Sequence, residues 1–240
     1  MRELTNLSSA VMDPLLAVAS APRITYYDDA TGERIELSTV TLANWAAKTG
    51  NLLRDELGAS PSSRVAILLP SHWQTLGVML GVWYVGAEVV AGQADCDVAF
   101  CTVDRLDDAD AAIGQSGEVV VLSLDAFGRP VPDVPFGVTD YATSVRAHGD
   151  QITPERNPGP ALNGRSVTET LSAATSSAAA QGFTAASRVL SSKAWDTADA
   201  MIDYVLAVLV AGGSLVQVAH PDTEALARRS EAEKVTAKLE

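Results

Sequence analysis

Two short stretches carry residue types that bind or transform small molecules. Ser71-His72-Trp73 follows the apolar run Val65 to Leu69, and Ser191-Ser192-Lys193-Ala194-Trp195 follows Arg188-Val189-Leu190. Ligands of open parallel sheets sit beyond the carboxyl ends of the strands. If these two strands end at one crevice, the pair predicts a ligand site. Trp73 and Trp195 would be apolar walls, His72 and Lys193 polar handles, and Ser71 and Ser192 flanking hydroxyls. The competing expectation is that both indoles simply pack at the starts of helices.

Other motifs are weaker. Gly159-Pro160-Ala161-Leu162-Asn163-Gly164-Arg165-Ser166 nearly spells a phosphate loop, with Arg165 where Lys belongs. Pro160 removes an amide donor, and no apolar strand precedes the segment. Asn163-Gly164 therefore reads as a turn before a capped helix. The helix start with its flanking arginine leaves Gly164, Arg165 and Ser166 as a candidate anion site. Gly114-Gln115-Ser116-Gly117 approaches a nucleophile elbow, but Glu118 stands where the final glycine is required. His72, His148 and His220 lack ligand spacing, so no metal is expected. Asp104, Asp107, Asp108 and Asp110 read as a solvated helix face. Cys96 and Cys101 are not spaced as C-x-x-C, and no histidine is near them, so neither a disulfide framework nor a zinc site is expected. No catalytic residue and no cofactor is assigned.

The elements that must position these residues follow from local signals. Arg23 to Tyr27 and Arg34 to Leu37 read as strands around an Asp28 to Gly32 turn. Ser38 caps a helix with an apolar face of Leu42, Trp45, Ala46, Leu52, Leu53 and Leu57. Val65 to Leu69 suits a strand buried on both faces. A helix follows over Trp73 to Val85, then strands at Glu88 to Ala91, Val98 to Thr102 and Val119 to Leu124. A short acidic helix is expected around Asp107 to Ile113, and another over Tyr141 to Ala147. Gln151 to Pro160, with three prolines and no periodicity, is the best boundary, dividing a lobe of residues 1–150 from one of 151–240. Beyond it, Ser166 and Glu169 form a capping box for a helix through Gln181. A strand at Arg188 to Leu190, a helix over Trp195 to Ala211, a strand at Ser214 to Ala219 and a closing helix over Asp222 to Leu239 complete the chain. Cap serine, helix, strand, Trp helix, glycine and strand occur in both parts, offset by roughly 125 residues, as a weak internal duplication. The expected fold is α/β, with two similar lobes of mostly parallel sheets flanked by helices.

Composition bounds the function. The 240 residues carry a net charge of −13, and 47% are apolar. That apolar content excludes a disordered tail, and the length supports a sizeable core without staples. The acidic balance argues against nucleic acid or an anionic membrane as partner. The first 22 residues read as a leading helix, because Asp13 and Pro14 interrupt any signal sequence. A cytoplasmic location is expected. Leu239-Glu240 has the look of a vector remnant.

Arg23-Ile24-Thr25-Tyr26-Tyr27, Glu36-Leu37-Ser38, Ser63-Arg64-Val65-Ala66-Ile67-Leu68-Leu69-Pro70 and Leu80-Gly81-Val82-Trp83-Tyr84-Val85-Gly86-Ala87 stand in the order that opens the adenylate-forming enzymes. The chain resembles that superfamily, which includes acyl-CoA synthetases, and more closely its short, truncated actinobacterial relatives. The resemblance implies an α/β domain of two similar lobes. It also marks what is missing. The family's Ser/Thr/Gly-rich phosphate loop is replaced by Pro154 to Ser166. Its adenine motif, ribose-binding aspartate and C-terminal domain with the catalytic lysine have no counterpart. The expected function is a non-catalytic module that binds an acyl- or nucleotide-like small molecule, or a protein or second copy of itself. The alternative is one half of a split ligase completed by a partner chain.

Overall fold

The computed structural model describes residues 6–92 and 95–239. Two five-stranded sheets lie on either side of a helical layer. In chain order the elements begin with α1 (Leu7–Leu15), β1 (Pro22–Asp28), β2 (Glu33–Ser38), α2 (Thr39–Asp55), β3 (Arg64–Leu68), α3 (Trp73–Tyr84) and β4 (Glu88–Ala91). They continue with β5 (Cys96–Thr102), α4 (Leu106–Ala112), β6 (Ile113–Leu122), β7 (Val138–Asp140), α5 (Tyr141–Ser144) and α6 (Val167–Ala180). The last are β8 (Arg188–Ser191), α7 (Ala198–Met201), α8 (Ala207–Val210), β9 (Ser214–Ala219), α9 (Thr223–Ala232) and β10 (Ala237–Leu239). A π turn over Ile202–Leu206 joins α7 to α8.

The first sheet has the order β4-β3-β5-β6-β7 and is parallel throughout. The second has the order β10-β8-β9-β1-β2, parallel except for the β1–β2 hairpin. One large core joins the inner faces of both sheets through α1, α2, α3, α6 and the α7–α8 helix. The outer face of the first sheet packs against α4, and that of the second against α9 through Leu226. The layering is thus α-β-α-β-α, each sheet having both faces covered, as parallel strands require.

Local chemistry explains the helix starts. Ser38 caps α2 by accepting the Thr41 N–H at 3.3 Å. Ser166 and Glu169 form the reciprocal box at α6. Every residue of α3 is buried, and two of its polar side chains are tied to backbone carbonyls: Thr75 Oγ1 donates to Pro70 O at 2.7 Å and Gln74 Nε2 to Asp125 O at 3.1 Å. Glycine lets α2 and α3 touch, since a Cβ on Gly81 would lie 2.6 Å from Thr49 Cβ.

Several expectations need correction. The N-terminal hairpin, assigned by sequence to the first lobe, lies in the second sheet, where Ile24 pairs with Leu215 and Tyr27 with Val218. Arg23 fastens it there by donating to the Gly212 and Gly213 carbonyls. The sheets therefore do not follow a division at residue 150. The helix expected from Trp195 starts at Ala198, with Thr197 as its cap. The closing helix stops at Ala232, and its expected end forms β10. Gly114 to Gly117 lie inside β6 rather than on a strand-to-helix turn. The leading helix expected over the first 22 residues occupies Leu7–Leu15; residues 1–5 of the chain, like Glu240, lie outside the described set. Cys96 and Cys101 are buried.

Candidate functional site

Five strand ends converge on one cavity of about 840 Å³ between the sheets. From the first sheet come Pro70, Ser71 and His72 beyond β3, and Ser123 to Phe127 beyond β6. From the second come Ser192, Lys193 and Ala194 beyond β8, Gln217 to Pro221 at the end of β9, and the β1–β2 hairpin. The crevice therefore lies where the strand-end rule places a ligand.

The two predicted loops meet directly. Ser71 Oγ donates to the Lys193 carbonyl at 3.2 Å, and Gln217 Nε2 donates to the same oxygen at 3.1 Å. Lys193 N–H donates to Ser191 Oγ at 3.1 Å, which fixes the turn. Ser71, His72, Ser192 and Lys193 all line the crevice.

His72 is held rigidly. Its ring caps α3, with Nδ1 accepting the Gln74 N–H at 3.1 Å. That bond leaves the proton of the neutral ring on Nε2, which lies 3.8 Å from Glu33 Oε1. The ring is 2% exposed and stands edge-on to Tyr26, with centroids 4.3 Å apart. Burial lowers the His72 pKa below 6.5, against the opposing pull of Glu33. Burial also raises the Tyr26 phenol, with Asp28 and Glu33 adding to the shift. At neutral pH this corner therefore presents an uncharged imidazole and an uncharged phenol beside a carboxylate.

Trp73 and Trp195 do not wall the crevice. Both are buried in the central core, and neither indole N–H has a hydrogen-bond partner. Their large apolar rings are drawn into the helical layer, where Trp73 meets Trp45 at 5.4 Å. The candidate anion donors are also committed. Gly164 N–H donates to the Glu88 carboxylate, Arg165 Nη2 to Asp199 at 2.8 Å, and Ser166 N–H to Glu169 at 2.8 Å. Three carboxylates of this chain thus occupy the positions an anion would take. Among the described residues, no group of three or more His, Cys, Asp and Glu side chains is placed to hold a metal. Nor is any helix among them long and apolar enough to cross a membrane.

Sequence reasoning missed Tyr26, Glu33, Asp125 and Gln217. Gln217 did leave a signal: it is the one polar residue in the run Leu215-Val216-Gln217-Val218. Glu33 left none, because its place in the crevice depends on the hairpin crossing to the second sheet.

This architecture is that of the N-terminal part of the acyl-CoA synthetases. An acyl-CoA synthetase from Brucella canis superimposes with a TM-score of 0.80 at 16% identity, over 97% of this chain and 46% of that one. The acetoacetyl-CoA synthetase of Streptomyces lividans gives 0.77 at 17% identity, over 97% and 42%. A benzoate CoA ligase from Burkholderia xenovorans LB400 gives 0.75 at 15% identity, over 98% and 50%. The chain spans about half the length of these enzymes, and at such identities the likeness is one of fold. No protein-family model matches the chain. A TIGR03089 family protein of Mycobacterium tuberculosis (strain ATCC 25618 / H37Rv) is 63% identical over 236 residues, 97% of each chain. The chain belongs to the TIGR03089 family.

Proposed function

We propose that this protein is a non-catalytic relative of the adenylate-forming ligases that retains a small-molecule crevice between its sheets. The reading is supported above all by the backbone of residues 154–166, which stand where the resemblance puts the phosphate loop. A phosphate loop works by aiming free backbone N–H groups at one anion. Here Pro154, Pro158 and Pro160 have no N–H to offer. The Glu155 and Gly159 amides donate to Tyr84 O and Gly86 O, both at 2.9 Å. Every amide from Ala161 through Ser166 donates to an acceptor of this chain: Arg165 O, Val89 O, Leu162 O, or the Glu88 and Glu169 carboxylates. Such a segment offers no row of free backbone donors with which to hold ATP phosphates or offset charge in acyl transfer. The crevice, by contrast, has a volume typical of small-molecule sites.

The test is ATP–pyrophosphate exchange by the purified full chain, with panels of carboxylic and amino acids. No exchange above background is expected. Acid-dependent exchange by this chain alone would refute the proposal. The alternative, a half ligase completed by another polypeptide, draws support from the 42 to 50% span of the solved enzymes and from the exposed Phe127 and Phe136. It predicts exchange that appears only when a second chain is added.

A further inference from the structure

We infer that a second cleft, built on α2, takes a small aromatic anion, with its ring between Trp45 and Phe127 and its anionic group met by Lys48 and Arg146. The site is separate from the crevice between the sheets and does not depend on the reading of that crevice. Phe127 is the only lining residue the two share.

Thr41, Asn44, Trp45 and Lys48 are spaced i, i+3, i+4 and i+7, so they share one face of α2. Phe127, beyond β6, and Arg146, in the turn after α5, stand opposite and enclose a cavity of about 300 Å³. That is the size of the smaller ligand pockets. Its walls can be reached from solvent: Phe127 is 77% exposed, Arg146 is exposed, and Trp45 and Lys48 are half-buried. Both rings are held in place. Trp45 meets Trp73 at 5.4 Å and stacks on Tyr141 at 6.4 Å. The Phe127 N–H donates to Asp125 Oδ1 at 2.9 Å, and its carbonyl accepts from Arg146 Nη2 at 3.3 Å, so the backbone is pinned while the ring stands in solvent. Gly128, at a φ of +65°, lets the two walls approach. A Cβ there would lie 3.4 Å from Arg146 Nη2 and 3.9 Å from Trp45 Cη2, so guanidinium and indole flank the same glycine.

Charge selects the ligand class. Lys48 and Arg146 are the charged residues of the lining, and no carboxylate faces them there, in a chain whose net charge is −13. Their partners are neutral. Lys48 Nζ donates to His148 O at 2.5 Å, and Arg146 Nη2 donates to the Phe127 and Gly128 carbonyls. Carbonyls orient the two cationic heads without cancelling their charge, and N–H groups of both remain for a ligand. Acids on the neighbouring elements are engaged elsewhere: Asp55 by Arg54, Glu56 by Ser144 and His148, and Asp125 by Arg129. A carboxylate or phosphate ester brings the charge-assisted bonds that these cations lack. The indole and phenyl faces favour a planar ring beside it. An ammonium ligand could use the same faces but would be repelled by both cations.

The experiment titrates the full 15N-labelled chain with phenylacetate, phenyl phosphate, benzyl alcohol, acetate and 2-phenylethylamine. The readouts are the Trp45 indole N–H and the backbone amides of Trp45, Lys48 and Gly128, with the amides of Ser192 and Lys193 reporting on the crevice. The two aromatic anions are expected to move the first set and to bind about tenfold tighter than the alcohol, the amine or acetate. The tighter of the two names the anionic group. Raising NaCl from about 0.05 to about 0.5 M should weaken both severalfold. Lys48→Gln keeps a donor for His148 O and should weaken the anions about fivefold while leaving benzyl alcohol unchanged. Phe127→Ala removes a ring that supports no core and should weaken every aromatic probe about threefold or more. The inference is overturned if the alcohol, the amine or acetate binds as tightly as the aromatic anions, if Lys48→Gln leaves the anions unchanged, or if no probe moves the α2 signals. Movement confined to Ser192 and Lys193 would overturn this site while leaving the crevice reading intact.

Discussion

Glu233 fastens the end of the chain to the hairpin that carries Tyr26 and Glu33, and its titration gives a measurable account of that link. Its carboxylate accepts from the Tyr27 hydroxyl, from Arg34 Nε and Nη2 at 3.2 and 3.0 Å, and from Arg188 Nη2. The side chain is 8% exposed. Burial alone would raise its pKa, but the bonds from Tyr27, Arg188 and Arg34 outweigh burial and hold it at about 2 against an ordinary 4.5. Folding therefore favours the ionised form. The associated stability is fully present above about pH 5 and is lost as pH falls toward 2.

The largest contribution this difference allows is about 3 kcal/mol. Arg34 is 46% exposed, and solvent screening there reduces the expected value to about 1–2 kcal/mol. Glu233→Gln keeps the volume and removes the charge. Urea unfolding of both proteins at pH 7, 5, 4 and 3 is the assay, compared through midpoints at a common slope. The variant should be less stable by about 1–2 kcal/mol at pH 7, and the gap should shrink to under half by about pH 3. A gap that stays constant across that range would show that the carboxylate is not the titrating link.

Two further substitutions test packing and the site. Gly81→Ala should destabilise by about 2–3 kcal/mol in urea, because its Cβ would lie 2.6 Å from Thr49 Cβ and 3.0 Å from Gly50 N, and two packed helices must move apart. His72→Asn preserves the cap on α3 but removes the titration. Since burial lowers the His72 pKa in the folded state, the unfolded chain takes up its proton first as pH falls through 6.5. The wild-type chain should thus lose stability relative to His72→Asn between pH 7 and 5. A circular-dichroism melting series checks this, and a pH-independent difference would refute it.

What the sequence made legible was local. Ser38 and the Ser166–Glu169 box announce α2 and α6, and apolar runs announce β3, β5 and, around Gln217, β9. The three-residue strands β7 and β10 carry no periodicity of their own and exist through their neighbours. The hairpin was recognisable as two strands but not as part of the second sheet. Its pairing with β9 spans most of the chain and is written in neither partner alone. The site divides in the same way. Ser71, His72, Ser192 and Lys193 follow strand ends and were legible by rule. Glu33 arrives only through the long-range pairing. The two tryptophans were misplaced because a ring beside a strand end packs inward as readily as outward. The anion reading failed for a similar reason, since Glu88 and Asp199 are remote in sequence from the donors they occupy.

The 154–166 segment spends its hydrogen bonds on the first sheet, and that commitment has a structural consequence. Leu162 bridges to Val89 and extends the first sheet at its β4 edge, while Asn163 Oδ1 accepts the Ala91 N–H at 2.8 Å. Ala161 O accepts the buried Trp83 indole N–H at 2.7 Å. Gly159 lies so close to Pro61 that a Cβ would fall 1.9 Å from its carbonyl oxygen. Releasing these amides toward a phosphate would strip Val89 O of its donor and reopen a sheet edge, leaving buried groups unpaired at about 1–3 kcal/mol each. A loop that must grip phosphate has to keep its amides uncommitted. A segment that seals an edge has to commit them. This chain does the second, so restoring the first requires more than inserting glycines and a lysine.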